Sequence, residues 1–394
     1  MDEDVAFYDK ISPILAGKKY ALPRPALCPD CRQQQRLSFR NERCLYKRKC
    51  DLTGQDIISI YSPDKACKVY EQQEWRGDKW DAMEYGRDFD FTKPFFPQFE
   101  KLVTEVPMLS MINNQPENSA FCNQTTGMKD SYLCFNAIWS EDCYYCKGLG
   151  KCKDVVDSLR CNDCERCYEC IDCHNCNHGC YLRECTDCLN CYLCKDCIGC
   201  ENCFGCIGLV GKKYHIFNEA YPKEEYAEKV AFRKKASSKK SLSASFQSLM
   251  MKTPMKYATI IQSEDCIGDN IHTSKNAKYC YDIAESENVK FCYDLRPNNM
   301  ESYDISAIGD GIEFSYNTIS CGIKMNHLLF DINCRDNVNN IYYCNCCVRG
   351  CSNCFGCSGL VGKSYCIFNK QYTPKEYEET VAKIIEHMIA TEER

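Results

Sequence analysis

The chain has 394 residues, of which 37 are cysteine, and a formal net charge of −6 at pH 7, so it is long enough for two or three domains and mildly acidic overall. The opening MDEDVAFYDK has no apolar leader, and no stretch approaches the roughly 18 apolar residues of a membrane span, so we expect a cytoplasmic protein with no membrane partner. In a reducing compartment, cysteines at this density are expected to be free thiols or metal ligands more often than disulfides.

Residues 1–70 are predicted to form a small N-terminal domain organised by cysteines. The segment contains a C-x-x-C pair followed by two further cysteines, with the overall spacing C-x2-C-x12-C-x5-C. Four thiolates can close a tetrahedral zinc site with bonds of about 2.3 Å, and such a site would fold a segment too small to fold alone. Unrelated thiols are the alternative to this zinc knuckle, and Cys67 is a substitute ligand. The predicted zinc ligands are Cys28, Cys31, Cys44 and Cys50.

A basic segment lies within this domain. Residues 24–50 carry eight lysines and arginines against Asp30 and Glu42. On a helix, arginines spaced three and four residues apart form one stripe, and a basic stripe beside a zinc knuckle is a candidate phosphate-contacting surface. The alternatives are a solvated helix face, or a face that pairs with the acidic remainder of the chain. The candidate nucleic-acid contacts are Arg32, Arg36, Arg40, Arg43 and Lys47.

Residues 71–118 are predicted to be a connector rich in aromatic residues. Its segment WRGDKWDAMEYGRDFDFTKPFFPQF mixes tryptophan, tyrosine and phenylalanine with four aspartates. No helix or strand template places those aspartates on one face, and no histidine is near, so a hydrolytic metal site is disfavoured. We expect the aromatic side chains to cap the first row of the domain that follows.

Residues 119–231 contain a cysteine pattern with a period of twelve. When the chain is written in rows of twelve, cysteine fills 14 of the 16 positions of four columns between Cys161 and Cys206. A fifth column is mainly tyrosine and phenylalanine. A sixth column is predicted to be a turn position, and it holds Asp130, Asp142, Asp154, Arg166, His178, Asn190 and Asn202.

A fixed period with its own chemistry in each column is the signature of a solenoid. One row cannot bury its own apolar side, so rows stack about 4.8 Å apart and bury one another. A twelve-residue row encloses so narrow an interior that only small side chains such as Cys, Ser, Ala and Gly fit. The inward position at every third residue is similar to the row pattern of beetle antifreeze β-helices, a likeness of geometry alone. We therefore predict a mainly β fold built on a Cys-lined β-solenoid.

The closing sequence of this solenoid occurs twice. Residues 202–226 and 353–377 match at 17 of 25 positions, which indicates an internal duplication. A charged helical segment begins within each closing sequence, at Lys223–Ala236 and Lys375–Ala390, and we expect it to cap the open end of the sheet. The predicted fold is therefore a duplicated β-solenoid with capping helices and a small N-terminal zinc-knuckle domain.

The second copy, residues 257–394, has fewer cysteines than the first, twelve against twenty. Its rows end in an aromatic residue followed by Asp or Asn, and the spacing between row ends varies from ten to fourteen residues. If rows form with Ser, Ala, Ile or Leu inside, cysteine is not required for the fold. Between the copies, residues 232–256 are rich in Ser and Lys and are predicted to be a linker.

The ladder cysteines of the first copy have three interpretations. As packing groups, they behave as small apolar side chains, which are among the most buried residues. As metal ligands, stacked thiols suit zinc, with copper or iron–sulfur clusters less favoured. As disulfides, they would link neighbouring rows. The candidate metal ladder comprises Cys161, Cys164, Cys167, Cys170, Cys173, Cys176, Cys185, Cys188, Cys191, Cys194, Cys197, Cys200, Cys203 and Cys206.

Four motifs carry a resemblance that covers nearly the whole chain. They are LPRPALCPDCR, RNERCLYKRKCDLTG, YGRDFDF and NCFGCIGLVGKKYHIFN. In these motifs the chain resembles a cysteine-rich protein family that is abundant in Patescibacteria. The resemblance implies no activity. It implies a second C-x-x-C near position 50, whereas Asp51 to Gly54 follow Cys50 here.

The sequence contains no P-loop, no dinucleotide-binding fingerprint and no nucleophile elbow. The expected function is therefore that of a non-enzymatic, zinc-binding scaffold protein with a β-solenoid body. One alternative is a nucleic-acid or ribosome-associated module that binds through the basic N-terminal segment. Another is an interaction solenoid that presents its Tyr/Phe column to a protein partner.

Overall fold

The computed structural model describes residues 2–160 and 190–393. Within them the protein is mainly β, with a long and mostly parallel sheet in its C-terminal half. No helix of the described residues combines the length and the apolar character that crossing a bilayer requires. The α-helices of these residues are α1 Asp2–Ile11, α2 Pro29–Leu37, α3 Gln72–Arg76, α4 Phe95–Glu105, α5 Lys223–Ala236, α6 Lys239–Lys252 and α7 Pro374–Ala390.

The N-terminal third of the chain contains short strands. They are β1 Ile14–Leu15, β2 Lys18–Lys19, β3 Tyr46–Lys49, β4 Asp56–Ser59, β5 Val69–Tyr70, β6 Met108–Leu109, β7 Asn113–Asn114 and β8 Thr125–Thr126. Strands β3 and β4 form an antiparallel pair, and β5 pairs in parallel with β6. Strands β7 and β8 pair in parallel with Asn113 opposite Thr125. Pairing at an interval of twelve therefore begins before the predicted start at residue 119.

Residues twelve apart continue to pair in parallel through the first copy. The bridges run from Glu117–Lys129 to Lys147–Leu159, and again from Tyr192–Phe204 to Ile198–Val210. The strands that close this copy are β9 Glu201–Phe204, β10 Lys213–Ile216 and β11 Glu219–Ala220. Strand β10 pairs in parallel with β9 and antiparallel with β11, so the series of parallel pairs ends there.

The backbone of this ladder turns at every third residue. Asp130, Leu133, Asn136, Trp139 and Asp142 all have φ between 47° and 54°. Residues other than Gly, Asn and Asp seldom adopt this left-handed region. The predicted turn column is confirmed at Asp130, Asp142, Asp154, Asn190 and Asn202, whereas Arg166 and His178 lie outside the described residues. The further turn columns escaped prediction because Leu, Trp and Tyr occupy them.

The residue after each turn is buried in a narrow interior. In the first copy, Cys134, Ala137 and Cys143 are fully buried, each three residues or a multiple of three from the next. The corresponding inward positions of the second copy include Ile283 and Val289. The interior therefore contains both cysteine and aliphatic side chains in each copy, with a larger aliphatic share in the second.

A sheet of fourteen strands forms the second copy. Its strands are β12 Ile260–Ile261, β13 Ile267–His272, β14 Lys275–Ala284, β15 Ser286–Lys290, β16 Tyr293–Arg296, β17 Asn299–Tyr303, β18 Ser306–Gly309, β19 Ile312–Tyr316, β20 Ile319–Cys321, β21 Met325–Leu329, β22 Asn339–Tyr342, β23 Ser352–Phe355, β24 Ser364–Ile367 and β25 Lys370–Gln371. Pairing intervals range from eleven at Ile260–Ile271 through twelve at Tyr281–Tyr293 to thirteen at Tyr303–Tyr316. Row length thus varies less than the predicted ten to fourteen.

The duplicated closing sequence makes the same contacts in both copies. Asn218 Oδ1 accepts a hydrogen bond from Ile207 N (2.8 Å), and Asn218 Nδ2 donates to Ile207 O (2.9 Å). Asn369 bonds the N and O of Ser358 in the same way, both at 2.8 Å. Asn369 is fully buried and also donates to Ala82 O (2.9 Å), so it joins the connector to the second copy.

Helices form at both predicted capping positions. Helix α5 has the predicted bounds, and α7 begins one residue earlier than predicted, behind a capping box formed by Thr373 and Glu376. Helix α6 lies within residues 232–256, the segment predicted as a linker. Its helical structure was not expected from a composition rich in Ser and Lys.

Aromatic side chains of the N-terminal third pack against the second copy. Phe7 of α1 stacks on Tyr303 with ring centroids 3.6 Å apart. Phe95 of α4 meets Phe355 edge to face at 5.4 Å, and Phe89 lies 5.8 Å from Phe368. The prediction that the connector's aromatic residues cap the first row is therefore wrong for Phe89 and Phe95. Sequence order suggested the adjacent copy, but the closing sequence of the distant copy supplies the complementary rings.

Replacing Asn369 with alanine is expected to lower the free energy of unfolding by about 2–4 kcal/mol, because three buried backbone groups lose their partner. Urea unfolding followed by circular dichroism measures this change. The control is Asn339→Ala on an exposed position of β22, with an expected change within about 0.5 kcal/mol. Equal losses in the two variants would contradict the assigned role of Asn369.

Candidate metal and ligand sites

Cys28 and Cys31 lie together at the start of α2. Cys28 is the N-cap residue, and its Sγ accepts a hydrogen bond from Cys31 N at 3.4 Å. Both thiols are exposed. Hydrogen bonds from the Cys31 backbone and side chain lower the pKa of Cys28, and a helix N-terminus also favours a thiolate. Cys28 therefore has the thiolate character that metal binding requires, whereas its hydrogen bond with Cys31 raises the pKa of Cys31.

The other two predicted zinc ligands have different surroundings. Cys44 is exposed, whereas Cys50 is buried in an apolar cluster with Val69 and Trp75, and its Sγ accepts a hydrogen bond from Glu71 N at 3.3 Å. Across residues 2–160 and 190–393, no three or more His, Cys, Asp and Glu side chains are arranged to hold a metal ion. As placed, the predicted ligands do not form a closed tetrahedral site. Zinc bound by these four cysteines stays a prediction.

The ladder cysteines that the structure describes are buried and hydrogen-bonded. Cys197 Sγ lies 3.4 Å from Lys195 O and 3.6 Å from Cys206 O, so its thiol has carbonyl acceptors two residues back and nine residues ahead. At most 1% of the surface is exposed at Cys191, Cys194, Cys197, Cys200, Cys203 and Cys206. Outside the described residues lie the predicted ladder positions Cys161, Cys164, Cys167, Cys170, Cys173, Cys176, Cys185 and Cys188.

Serine takes the same position and the same hydrogen bond in several rows. Ser131 Oγ donates to Lys129 O at 2.8 Å, as Cys134 Sγ does to Tyr132 O at 3.7 Å. Ser302 makes the equivalent bond in the second copy. Since a hydroxyl and a thiol serve the same carbonyl, the inward position favours a small side chain that carries one donor.

Burial raises the pKa of several interior thiols of the second copy, whereas at Cys347 and Cys357 burial is outweighed by hydrogen bonds from neighbouring cysteines, which lower the pKa. Desolvation raises the pKa of Cys334 and Cys344 well above its usual value, and raises that of Cys321 to about 12. A metal ion would have to displace those protons. At neutral pH these three side chains therefore have the properties of packing groups.

The arginine stripe of α2 faces the second copy. Arg32 Nε lies 2.6 Å from Asp304 Oδ2, and Arg36 Nη1 lies 3.5 Å from Asp304 Oδ1. Arg32 is 6% exposed, Arg36 is 4% exposed and Asp304 is fully buried. For these two arginines the structure therefore agrees with the alternative in which the stripe pairs with acidic residues elsewhere in the chain. Their guanidinium groups do not face solvent, where a nucleic acid would bind.

The remaining predicted nucleic-acid contacts divide between interior and surface. Arg40 pairs with Glu42 and donates to Ser306 O at 3.4 Å, and burial lowers its pKa to about 10. Arg43 and Lys47 are exposed. Nucleic-acid binding through this segment stays a prediction that depends on these two exposed cations.

Asp331 occupies an inward position of the second copy. Its Oδ1 accepts a hydrogen bond from Cys344 N at 2.7 Å, and its Oδ2 has no hydrogen-bond partner among the described residues. Burial raises the pKa of this carboxyl well above its usual range, because the charged form would be desolvated. A second copy built like the first would hold a thiol or hydroxyl here, so pattern matching did not single out Asp331.

A cavity of about 580 Å³ lies where the connector, the start of the first copy and the second copy meet. Sequence analysis missed this cavity because its walls come from segments far apart in the chain, and no local spacing connects them. Its lining includes two tryptophans of the connector and three arginines, which are Trp75, Trp80, Arg76, Arg335 and Arg349.

Comparison with known proteins adds no relative. The chain matches no protein-family model, and no curated protein matches it significantly. Membership of the cysteine-rich family abundant in Patescibacteria therefore stays a prediction, and functional proposals depend on the contacts described above.

Substituting alanine for Asp304 is expected to lower the free energy of unfolding by about 3–5 kcal/mol, because two buried arginines lose their counter-charge. Guanidinium unfolding measures the change. The matched control is Asp88→Ala, which removes an exposed ion pair with Lys370 and is expected to cost no more than about 1 kcal/mol. A loss at Asp304 as small as the control's would show that α2 does not depend on this carboxylate.

Asparagine at position 331 is expected to stabilise the protein increasingly as the pH rises. Below about pH 4, Asp331 is protonated in both the folded and unfolded states, so it has no pH-dependent cost there. Above that pH the unfolded state ionises while the folded carboxyl stays neutral, and stability falls by about 1.4 kcal/mol per pH unit until the raised pKa is reached. Unfolding curves of the wild type and Asp331→Asn from pH 4 to 8 should diverge accordingly. Asp157→Asn, at an exposed turn, should follow the wild type.

Proposed function

We propose that this chain is a non-enzymatic scaffold with a β-solenoid body, in which cysteine serves as a reduced packing residue. The observation that carries the proposal is the exchange of thiol for hydroxyl at equivalent inward positions, such as Cys134 and Ser131, with the carbonyl two residues back as acceptor. In this role the thiol contributes packing and a hydrogen bond to the fold.

The solenoid interpretation is supported by the bridges around a single row. Four bridges occur three residues apart, and each of them joins residues twelve apart. They are Lys129–Glu141, Tyr132–Tyr144, Phe135–Lys147 and Ile138–Gly150. Since a left-handed residue follows each bridge position, each row would have four short sides that stack on the next row.

Protein interaction is a second candidate role, favoured by a difference between the copies. In the first copy, Tyr132 and Tyr144 are exposed. In the second copy, Tyr303 and Tyr316 occupy an aromatic column that is buried under α1. The part of this column at Tyr132 and Tyr144 is exposed, although Phe204 at its end is buried in a cluster with side chains of α5. The exposed part is a surface that a helical partner would fit, because a helix covers the second copy there.

Thiol titration combined with elemental analysis tests the scaffold proposal. In denaturant without reductant, all 37 cysteines are expected to react, because packing thiols are not oxidised or ligated. Before denaturation, the exposed Cys28, Cys31 and Cys44 should react first. Fewer titratable thiols would indicate disulfides, and several metal ions per chain would indicate a loaded ladder, so either result would contradict the proposal.

The same measurement addresses the predicted zinc knuckle. If about one zinc ion per chain is found, the double variant Cys28→Ser and Cys31→Ser should lose it, because it removes both thiols of the C-x-x-C pair, including Cys28 with its lowered pKa. Cys266→Ser in the second copy, a cysteine that is not fully buried, should retain the metal. Zinc that persists in the double variant would exclude the N-terminal pair as its ligands.

A further inference from the structure

Three arginines converge on the cavity between the connector and the two copies. Arg76 is the last residue of α3, and its Nη2 donates to Asn113 O at 2.8 Å. Arg335 and Arg349 come from the second copy, where Arg349 N donates to Arg335 O in the neighbouring row at 3.1 Å. All three line the same cavity of about 580 Å³, a volume typical of small-molecule sites.

None of these three arginines has an anionic partner in the described chain. The arginines that form ion pairs there are Arg32, Arg36, Arg40, Arg48, Arg87 and Arg160. The Nε of Arg335 is buried without a hydrogen-bond partner among the described residues. A buried guanidinium N–H that lacks an acceptor is costly, so Arg335 lacks the anionic partner that its guanidinium group favours.

The charges in the cavity also favour an anion. Burial, followed by the charges of Arg349 and Arg335, lowers the pKa of Arg76, and Asp336 offsets this only in part. Of the other carboxylates in the lining, Asp81 accepts a hydrogen bond from Met83 N, and Asp310 is exposed. The repulsion between the guanidinium groups is therefore larger than the attraction that the nearby carboxylates supply.

We propose that this cavity is a binding site for the phosphate group of a small phosphorylated molecule. Guanidinium groups match the oxygens of phosphate through paired N–H donors. The lining also includes apolar and aromatic side chains, Trp80, Ile112 and Val348 among them, and they suit the uncharged part of such a ligand. Because the walls come from three parts of the chain, binding would also hold those parts together. This site is independent of the thiols on which the scaffold proposal depends.

Inorganic pyrophosphate is the probe for this site. Isothermal titration calorimetry of the full chain at low salt is expected to show binding. Arg335→Gln and Arg349→Gln should each weaken it at least about tenfold, because each removes charge-assisted hydrogen bonds. The matched control is Arg24→Gln, which removes an equal charge at an exposed position outside the cavity and should bind like the wild type.

Thermal unfolding without ligand establishes that each variant is folded. Because Arg349 is exposed, its substitution is expected to disturb folding less than that of Arg335. Saturating pyrophosphate should raise the Tm of the wild type and of Arg24→Gln but not that of Arg349→Gln. The proposal is overturned if pyrophosphate does not bind, or if both cavity variants bind it as the wild type does. Citrate that binds more tightly than pyrophosphate would overturn the assignment to phosphate.

Discussion

The structure depends on a backbone that enters the left-handed region at every third residue. This geometry fixes both the length of each side of a row and the direction of the side chain that follows the turn, which points inward. The interior is narrow and closely packed, and it holds cysteine and serine beside aliphatic residues such as Ile283 and Val289. Cysteine and serine are small, and each carries one donor that reaches a carbonyl two residues back. The abundance of cysteine fits this constraint.

The N-terminal third is attached to the second copy through charge and aromatic stacking. Asp304 neutralises two arginines of α2, Phe7 stacks on Tyr303, and Glu393 accepts hydrogen bonds from Phe95 N and Phe96 N at the start of α4. These contacts cross the boundaries that composition suggested. These contacts also bury the arginines of α2, which a sequence pattern alone would place on the surface.

Features with a short repeat could be predicted from the sequence, and features that join distant segments could not. The interval of twelve, one turn column and helices α5 and α7 follow from local spacing, because each depends on residues within one row or one helical turn. The buried carboxyl of Asp331, the partner of Arg32 and the cavity around Arg335 depend on which segments meet in space. No periodicity encodes those meetings, and comparison with known proteins supplied no template for them.

The order in which these contacts can form has a consequence for synthesis. Within the ladder each strand needs only the row made about a dozen residues earlier, so the body can assemble progressively as the chain emerges. Helices α1, α2 and α4 cannot reach their final contacts progressively. Arg32 binds Asp304 and Phe95 binds Glu393, and both partners lie much later in the chain. These helices precede the ladder in the chain but are therefore among the last elements to reach their final contacts. Until then their aromatic residues and arginines are accessible to chaperones and proteases.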